Sequence, residues 1–389
     1  MPDRLPRQPA TALFIRSALF CLAAHWGTAA LAEQAPAEAP ASEGEGAATP
    51  AGSGAQTETA RDRSPWLATP LISSNPKFGT SIGALGGYLT HFDKTSPVSM
   101  FGVKGDYSDT NSYTLSAFAN TFFDEDRQRL IAFALWGHIE NDYEDFLGSG
   151  IRFETTDEIH LFFTRYLYRV TGNWFVGAQG IATNYTSSSS EPGGDDVLDY
   201  LGLSGFQSNG LGLVVTYDSR DNTRSASRGA QLVINNFAYR EGLGGDDSFD
   251  VYDVEYDVFL PLLKGQVSAL QVNGRWTSRA PNSAYSSVAI PGYTRGEYLA
   301  EYMTHVYWDQ RIAFSERWGM SVSGALACLY GEDVFGDDQG CFERSSLYPA
   351  LAAGAIFTLK PEAKLVARAE VAVGKGSNLG FILRFGQPF

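Results

Sequence analysis

Residues 250–260 read Asp250-Val251-Tyr252-Asp253-Val254-Glu255-Tyr256-Asp257-Val258-Phe259-Leu260. Successive side chains of a β-strand point to opposite faces. In an extended chain Tyr252, Val254, Tyr256, Val258 and Leu260 therefore share one face, and Asp253, Glu255 and Asp257 share the other. A soluble sandwich would bury the apolar face against a second sheet. A membrane barrel turns that face to lipid and lets the acidic face line a wet lumen. Residues 364–373 repeat the scheme: Leu365, Ala367, Ala369, Val371 and Val373 alternate with Lys364, Arg368 and Glu370.

The same period of two runs through the chain from 66–74 to 379–389 and predicts sixteen strands, most of them long enough for a tilted strand to cross a bilayer. Long connections fall at 141–157, 187–207, 280–301 and 331–345. The connections between them are short, as at Val170-Thr171-Gly172 and Ser315-Glu316-Arg317. Long loops on one side and tight turns on the other are the habit of outer-membrane barrels, and an even strand count leaves both chain ends in the periplasm. The expected fold is all-β: a 16-stranded antiparallel transmembrane β-barrel over 64–389. The composition agrees. Aromatics make up 13% of the chain and glycines number 41, while the mean hydropathy is only −0.16 because polar lumen residues dilute the lipid-facing ones. No stretch of 18 apolar residues offers a transmembrane helix.

Arg4, Arg7 and Arg16, the apolar run Ala18–Ala24 and the small residues of Ala30-Leu31-Ala32 lay out a secretory signal peptide over 1–32. Phe20 stands before Cys21 where a lipoprotein signal needs a small residue. Residues 33–63 are rich in Ala, Pro, Glu, Gly and Ser, a composition that cannot bury enough surface to order itself, and read as a disordered periplasmic linker. Without the signal, which carries three basic residues and one acidic, the net charge moves from −15 to −17. So acidic a chain is a poor nucleic-acid binder. Cys328 and Cys341 remain in an oxidising compartment and are expected to form one disulfide, since no His lies nearby to suggest a metal.

At the other end, Leu379, Phe381, Leu383, Phe385 and Phe389 alternate onto one face, interrupted by Gln387. This resembles the C-terminal targeting signal of outer-membrane proteins, which the barrel-assembly machinery reads by strand addition.

Several stretches, in order, resemble the BamA/TamA superfamily, also called the bacterial surface antigen family. Thr69-Pro70-Leu71-Ile72 through Asn75-Pro76-Lys77-Phe78-Gly79 to Gly86-Gly87-Tyr88 is similar to its opening hairpin. Tyr217-Asp218-Ser219-Arg220-Asp221-Asn222 with Arg228-Gly229 is similar to its central periplasmic turn, and Leu383–Phe389 to its ending. Thr294-Arg295-Gly296-Glu297-Tyr298 stands where the family carries an Arg-Gly-aromatic motif, with Glu297 in the aromatic's place and Tyr298 one residue later. The resemblance implies a loop folded into the lumen. Arg295 would there bind acidic strand residues, Gly296 would allow a close turn, and Asp309 would be the matching acid, while the thirteenth strand has no acid in Gly324–Cys328. Asp218, Arg220 and Asp221 would order the turn, with Arg220 paired to either neighbour; a solvated charged turn accounts for the same residues. The resemblance implies a form without POTRA domains, and insertion or translocation of protein or lipid at the outer membrane. The implied partners are outer-membrane lipid, the barrel-assembly machinery during biogenesis, and a protein or lipid client.

A passive, cation-favouring pore or a structural surface antigen is the alternative. Catalysis is not expected. His91, His138, His160 and His305 lie in no recognisable lipase or protease motif, and no Gly-x-Ser-x-Gly elbow occurs. Nor is any cofactor or metal: Asp195-Asp196, Asp246-Asp247 and Asp337-Asp338 read as solvated outer-loop acids. One feature bears on mechanism. Pro65, Pro70 and Pro76 lie in or beside the first strand, and proline cannot donate to a ladder, which predicts a weak seam against 379–389.

Overall fold

The computed structural model describes residues 64–75, 79–143, 153–201, 204–293, 298–333, 336–361, 363–375 and 379–389. The signal and linker expected over 1–63 lie outside them. The strands are β1 (Trp66–Asn75), β2 (Gly79–Thr90), β3 (Ser99–Ser108), β4 (Tyr113–Phe123), β5 (Gln128–Tyr143) and β6 (Phe153–Thr171). There follow β7 (Trp174–Ser188), β8 (Gly205–Asp218), β9 (Gly229–Tyr239), β10 (Phe249–Pro261), β11 (Gln266–Ser278) and β12 (Ser286–Ser287). The last are β13 (Leu299–Ala313), β14 (Trp318–Asp333), β15 (Asp338–Gln339), β16 (Leu347–Lys360), β17 (Leu365–Val373) and β18 (Leu379–Phe385). Eighteen strands stand where sixteen are expected, and the difference is the two-residue β12 and β15 inside long loops. The sixteen long strands pair antiparallel, each with the next in sequence. No helix among the described residues is long and apolar enough to cross a membrane.

The deciding stretch behaves as its alternation requires. Tyr252, Tyr256 and Leu260 of β10 are exposed on the outer wall, while Asp253 and Asp257 are buried inside. Leu213, Leu211, Ile82, Phe162, Val306, Leu351 and Val371 continue an apolar outer wall around the sheet, far more exposed apolar surface than a soluble monomer shows. Facing pairs Trp66–Tyr88, Trp174–Tyr217 and Trp318–Phe357 edge it on the side of the short turns. Tyr302–Tyr330, with Trp276 Nε1 donating to Tyr330 Oη at 2.8 Å, edges it on the side of the long loops. Aromatic girdles of this kind mark the two membrane interfaces of outer-membrane barrels.

Among the described residues β1 pairs with β2 alone and β18 with β17 alone. The sheet nevertheless curls on itself. Leu67 and Leu71 of β1 pack in one cluster with Ala363 and Leu365 at the start of β17, and Lys360 Nζ donates to the Ser64 carbonyl. At this end β1 packs against the start of β17, and no ladder joins β1 to β18 among the described residues.

The long loops hold structure that the strand period does not announce. Residues 189–204 carry one helix, α1 (Gly194–Leu201), with Asp195 and Asp196 in its first turn, where the helix dipole favours anions. Strand β6 begins at Phe153, five residues before the expected 158, because its polar start pairs with the end of β5 beyond the apolar wall.

Candidate functional site

The lumen closes at its periplasmic end around one carboxylate. Asp309, on the inward face of β13, is fully buried. Arg368 of β17 reaches it with two parallel bonds, Nη1 to Oδ2 and Nη2 to Oδ1, each 2.9 Å. Arg311, two residues along β13 on the same face, adds Nε to Oδ2 at 2.6 Å. Both carboxylate oxygens are thus occupied. Arg368 also donates to Glu370 Oε1 at 2.5 Å and to Gln387 Oε1 at 2.7 Å. Its cross-strand neighbour in register is Arg384 of β18. Two guanidiniums placed opposite each other repel, and Glu370 lies between them, with Oε2 3.4 Å from Arg384 Nε. Ser321 of β14 completes Glu370 at 3.0 Å. Bidentate, charge-assisted bonds of this kind fix geometry as well as add energy.

The turn between β8 and β9, residues 219–228, folds beneath this network. Arg220 is committed to Asp218, Nε to Oδ1 at 2.9 Å and Nη2 to Oδ2 at 3.2 Å. Asp218 also receives Arg129 of β5 at 2.6 Å, and that guanidinium lies 4.1 Å from the centre of the Phe175 ring. Asp221 caps its own turn instead, accepting the Ser227 and Arg228 backbone N–H groups at 2.8 and 3.2 Å and the Ser227 hydroxyl at 2.5 Å. Burial pushes the Asp221 carboxyl up, but those donors and the nearby Lys364 outweigh it and hold the group below the usual carboxylate range. Arg224 crosses to the Val98 carbonyl at the foot of β3; burial pulls its guanidinium down to about 10, still charged at neutral pH. Ser225 Oγ receives Gln387 Nε2 at 3.1 Å, and the Ala226 carbonyl receives Arg311 at 3.3 Å. The turn therefore touches the feet of β3 and β13 and the tail after β18, while Asp218 just before it ties in β5. It forms a floor across the barrel.

The tail departs from expectation. Strand β18 ends at Phe385. Gly386 takes φ 106°, a left-handed value that favours glycine, and the chain leaves the sheet. Phe389 is only 6% exposed; it lies inside against Phe259 and Tyr307, with ring centres 6.1 and 5.2 Å away, and its carbonyl accepts from Arg311 at 3.2 Å. Phe381 keeps the outward face, and Leu383 and Phe385 hold alternate positions of the same strand. Phe389 does not share that face, because the glycine turn breaks the alternation.

The roof is the loop between β11 and β13. Val288, Ile290 and Tyr293 are buried against Met303, Leu329 and Tyr348 of the inner wall, and Tyr293 Oη donates to the Pro349 carbonyl at 2.7 Å. Gly292, at φ 90°, runs so close to β17 that a Cβ there would lie 3.2 Å from the Val373 carbonyl carbon. Residues 288–293 of the loop fold inward. Arg295 and Gly296 lie outside the described residues. Tyr298 packs tilted against Tyr348, with 4.9 Å between ring centres. The partners of Asp309 described here are strand arginines, Arg368 and Arg311. Sequence reading missed Arg368, Glu370, Arg384 and Gln387 as site residues; the one signal was the pairing of Arg368 and Glu370 on the polar face of 364–373.

Cys328 and Cys341 are joined in a disulfide, with Cα atoms 5.4 Å apart. His305 is buried in the lumen wall, its Nε2 3.0 Å from Gln271 Oε1. Among the described residues no group of His, Cys, Asp or Glu is arranged to hold a metal ion.

No protein-family model and no curated protein sequence matches the chain. Solved structures do. BamA from Haemophilus ducreyi lacking POTRA domains 1–3 superposes with a TM-score of 0.51 at 12% identity, over 84% of this chain and 70% of that one. CdiB from Escherichia coli gives 0.56 at 10% identity, over 83% of this chain and 62% of that one. CdiB from Acinetobacter baumannii gives 0.53 at 10% identity, over 82% and 58%. The chain thus spans less than two thirds of either CdiB chain. At these identities what is shared is the fold, a transmembrane β-barrel of the BamA and CdiB kind. That fold, with its apolar and aromatic-edged outer wall, belongs in the bacterial outer membrane.

Proposed function

We propose that this barrel assists the insertion or translocation of protein or lipid at the outer membrane, working through the seam between β1 and β18. The observation that carries the reading is the missing ladder at that seam. A barrel normally abolishes its edges. Here β1 and β18 share no ladder hydrogen bonds among the described residues. One margin is a seven-residue strand and the other contains Pro70, which has no N–H to offer. Open edges are templates for adding a strand.

The lumen supports the same route. A floor of the 219–228 turn and the 386–389 tail, and a roof of residues 285–293, stand in the axial path, so a bulky client has its easier way at the side. A passive pore would require that floor to be absent or mobile. The partners in this reading are outer-membrane lipid, the barrel-assembly machinery that inserts the chain, with Phe381, Leu383 and Phe385 as the strand signal it reads, and a protein or lipid client. The experiment is depletion of the protein followed by quantitative analysis of outer-membrane proteins and lipids. Loss of a defined protein or lipid set supports the reading; an unchanged membrane overturns it.

A further inference from the structure

The loop between β14 and β16 is fastened in an unusual place. Cys328 opposes Thr304 of β13 and Leu347 of β16 in register. It shares the outward face with Leu326 and Val322, which are exposed on the apolar wall. Cys328 itself is buried, because the loop carrying Cys341 lies over it. The disulfide therefore fastens an extracellular loop to the outer, lipid-facing side of the barrel, away from the lumen mouth.

The level of that fastening is set by the aromatic girdle. Trp276, Tyr302 and Tyr330 form one cross-strand row through their register. Cys328 sits two residues from Tyr330 toward the bilayer centre, about 7 Å along the strand. Gly331 and Glu332 above it pair with Gln339 and Asp338, which turns the loop down along the wall. The residue after Cys341 is Phe342, which is 88% exposed, the most exposed large apolar side chain among the described residues. An aromatic ring free in water would cost apolar hydration that nothing in its loop offsets. At the level of the girdle an exposed ring would instead meet the boundary between lipid headgroups and acyl chains, where amphipathic and aromatic anchors concentrate. Two of the nearby charges are taken up locally. Glu343 turns back, accepting the Gly340 backbone N–H at 3.3 Å. Lys375 Nζ donates to the Arg344 carbonyl at 2.9 Å and closes the base of the loop against β17.

We infer that the Cys328–Cys341 disulfide holds Phe342 in the outer leaflet of the membrane, making this loop a lipid anchor whose partner is the outer-leaflet lipid itself. The anchor has a redox condition built in: a thiol reductant that supplies two electrons and two protons, and is itself oxidised to its disulfide, returns Cys328 and Cys341 to thiols and releases Phe342 from the wall. The inference rests on the transmembrane orientation and not on the proposed client.

The test places the photocrosslinking residue p-benzoylphenylalanine at position 342 of the full-length protein, folded in bilayers of defined phospholipid. Lipid adducts are counted by mass spectrometry, with the same probe at position 351 of the outer wall as the positive control. Folding is checked in each sample by the heat-dependent shift in gel mobility. The expected result is lipid adducts at 342 comparable to those at 351, falling at least fivefold in the Cys328→Ser/Cys341→Ser variant while the 351 adducts persist. Adducts at 351 with none at 342, or adducts at 342 indifferent to loss of the disulfide in a folded variant, would overturn the inference. Failure of the 351 control would instead strike at the membrane orientation itself.

Discussion

Asp309 is the residue on which the floor of the barrel depends. It is a buried anion that compensates two buried cations, Arg368 and Arg311. Removing one partner of such a set leaves uncompensated charge and costs about 3–5 kcal/mol. Asp309→Ala should therefore lower the unfolding free energy in urea by that amount. Asp309→Leu combined with Arg368→Met should cost clearly less than the two single changes summed, since groups in direct contact are not additive. Asp221 makes a separate pH-dependent contribution. Its folded carboxyl lies below the usual range, so its contribution is complete above about pH 5 and is lost as pH falls through the ordinary carboxylate value of about 4 and below it. Acidification from pH 5 to pH 3 should expose the 219–228 turn to proteolysis in the native protein. In Asp221→Asn the turn should be equally cleaved at both pH values.

At the scale of elements, the strand faces were legible in the sequence because lipid on one side and lumen on the other impose a strict period of two. Tyr252, Tyr256 and Leu260 against Asp253 and Asp257 is that rule read directly. It fails where no membrane imposes it. The start of β6 at Phe153 and the helix α1 lie beyond the apolar wall, where polar residues give no periodic signal. It also fails at Gly386, where one left-handed residue re-aims everything after it and carries Phe389 from the wall to the lumen floor. The bond from Asp309 to Arg368 joins positions 59 residues apart, and no local pattern announces it. Only after the register places Arg368 against Arg384 does the need for an anion between β13 and β17 become visible. The β8–β9 ladder is interrupted between Leu211 and Val214, where the Asn236 carbonyl lies over Gly212 and the Asn236 side chain accepts the Leu213 N–H at 3.0 Å. A Cβ at residue 212 would fall 1.6 Å from that carbonyl oxygen. Gly212→Ala should cost about 1–3 kcal/mol, the usual toll of overpacking, measured by the same urea titration.

At the scale of the whole molecule, the described residues form a meander of sixteen long strands with a filled floor, an inward loop for a roof and no ladder between β1 and β18. A filled axis predicts small, unsteady currents in planar bilayers. Arg311→Ala, which removes one bond to the 219–228 turn and one to the tail, should raise the mean conductance. A large, steady, cation-selective current unchanged by that substitution would instead favour a passive pore. The account turns on the seam. The most direct measurement places one cysteine at Ala68 of β1, scans a second through β18, and compares growth and outer-membrane composition of depleted cells rescued by the oxidised and the reduced forms. The account predicts that a pair which crosslinks the two strands blocks rescue when oxidised and restores it on reduction. Full rescue by a barrel whose seam is demonstrably locked would contradict it.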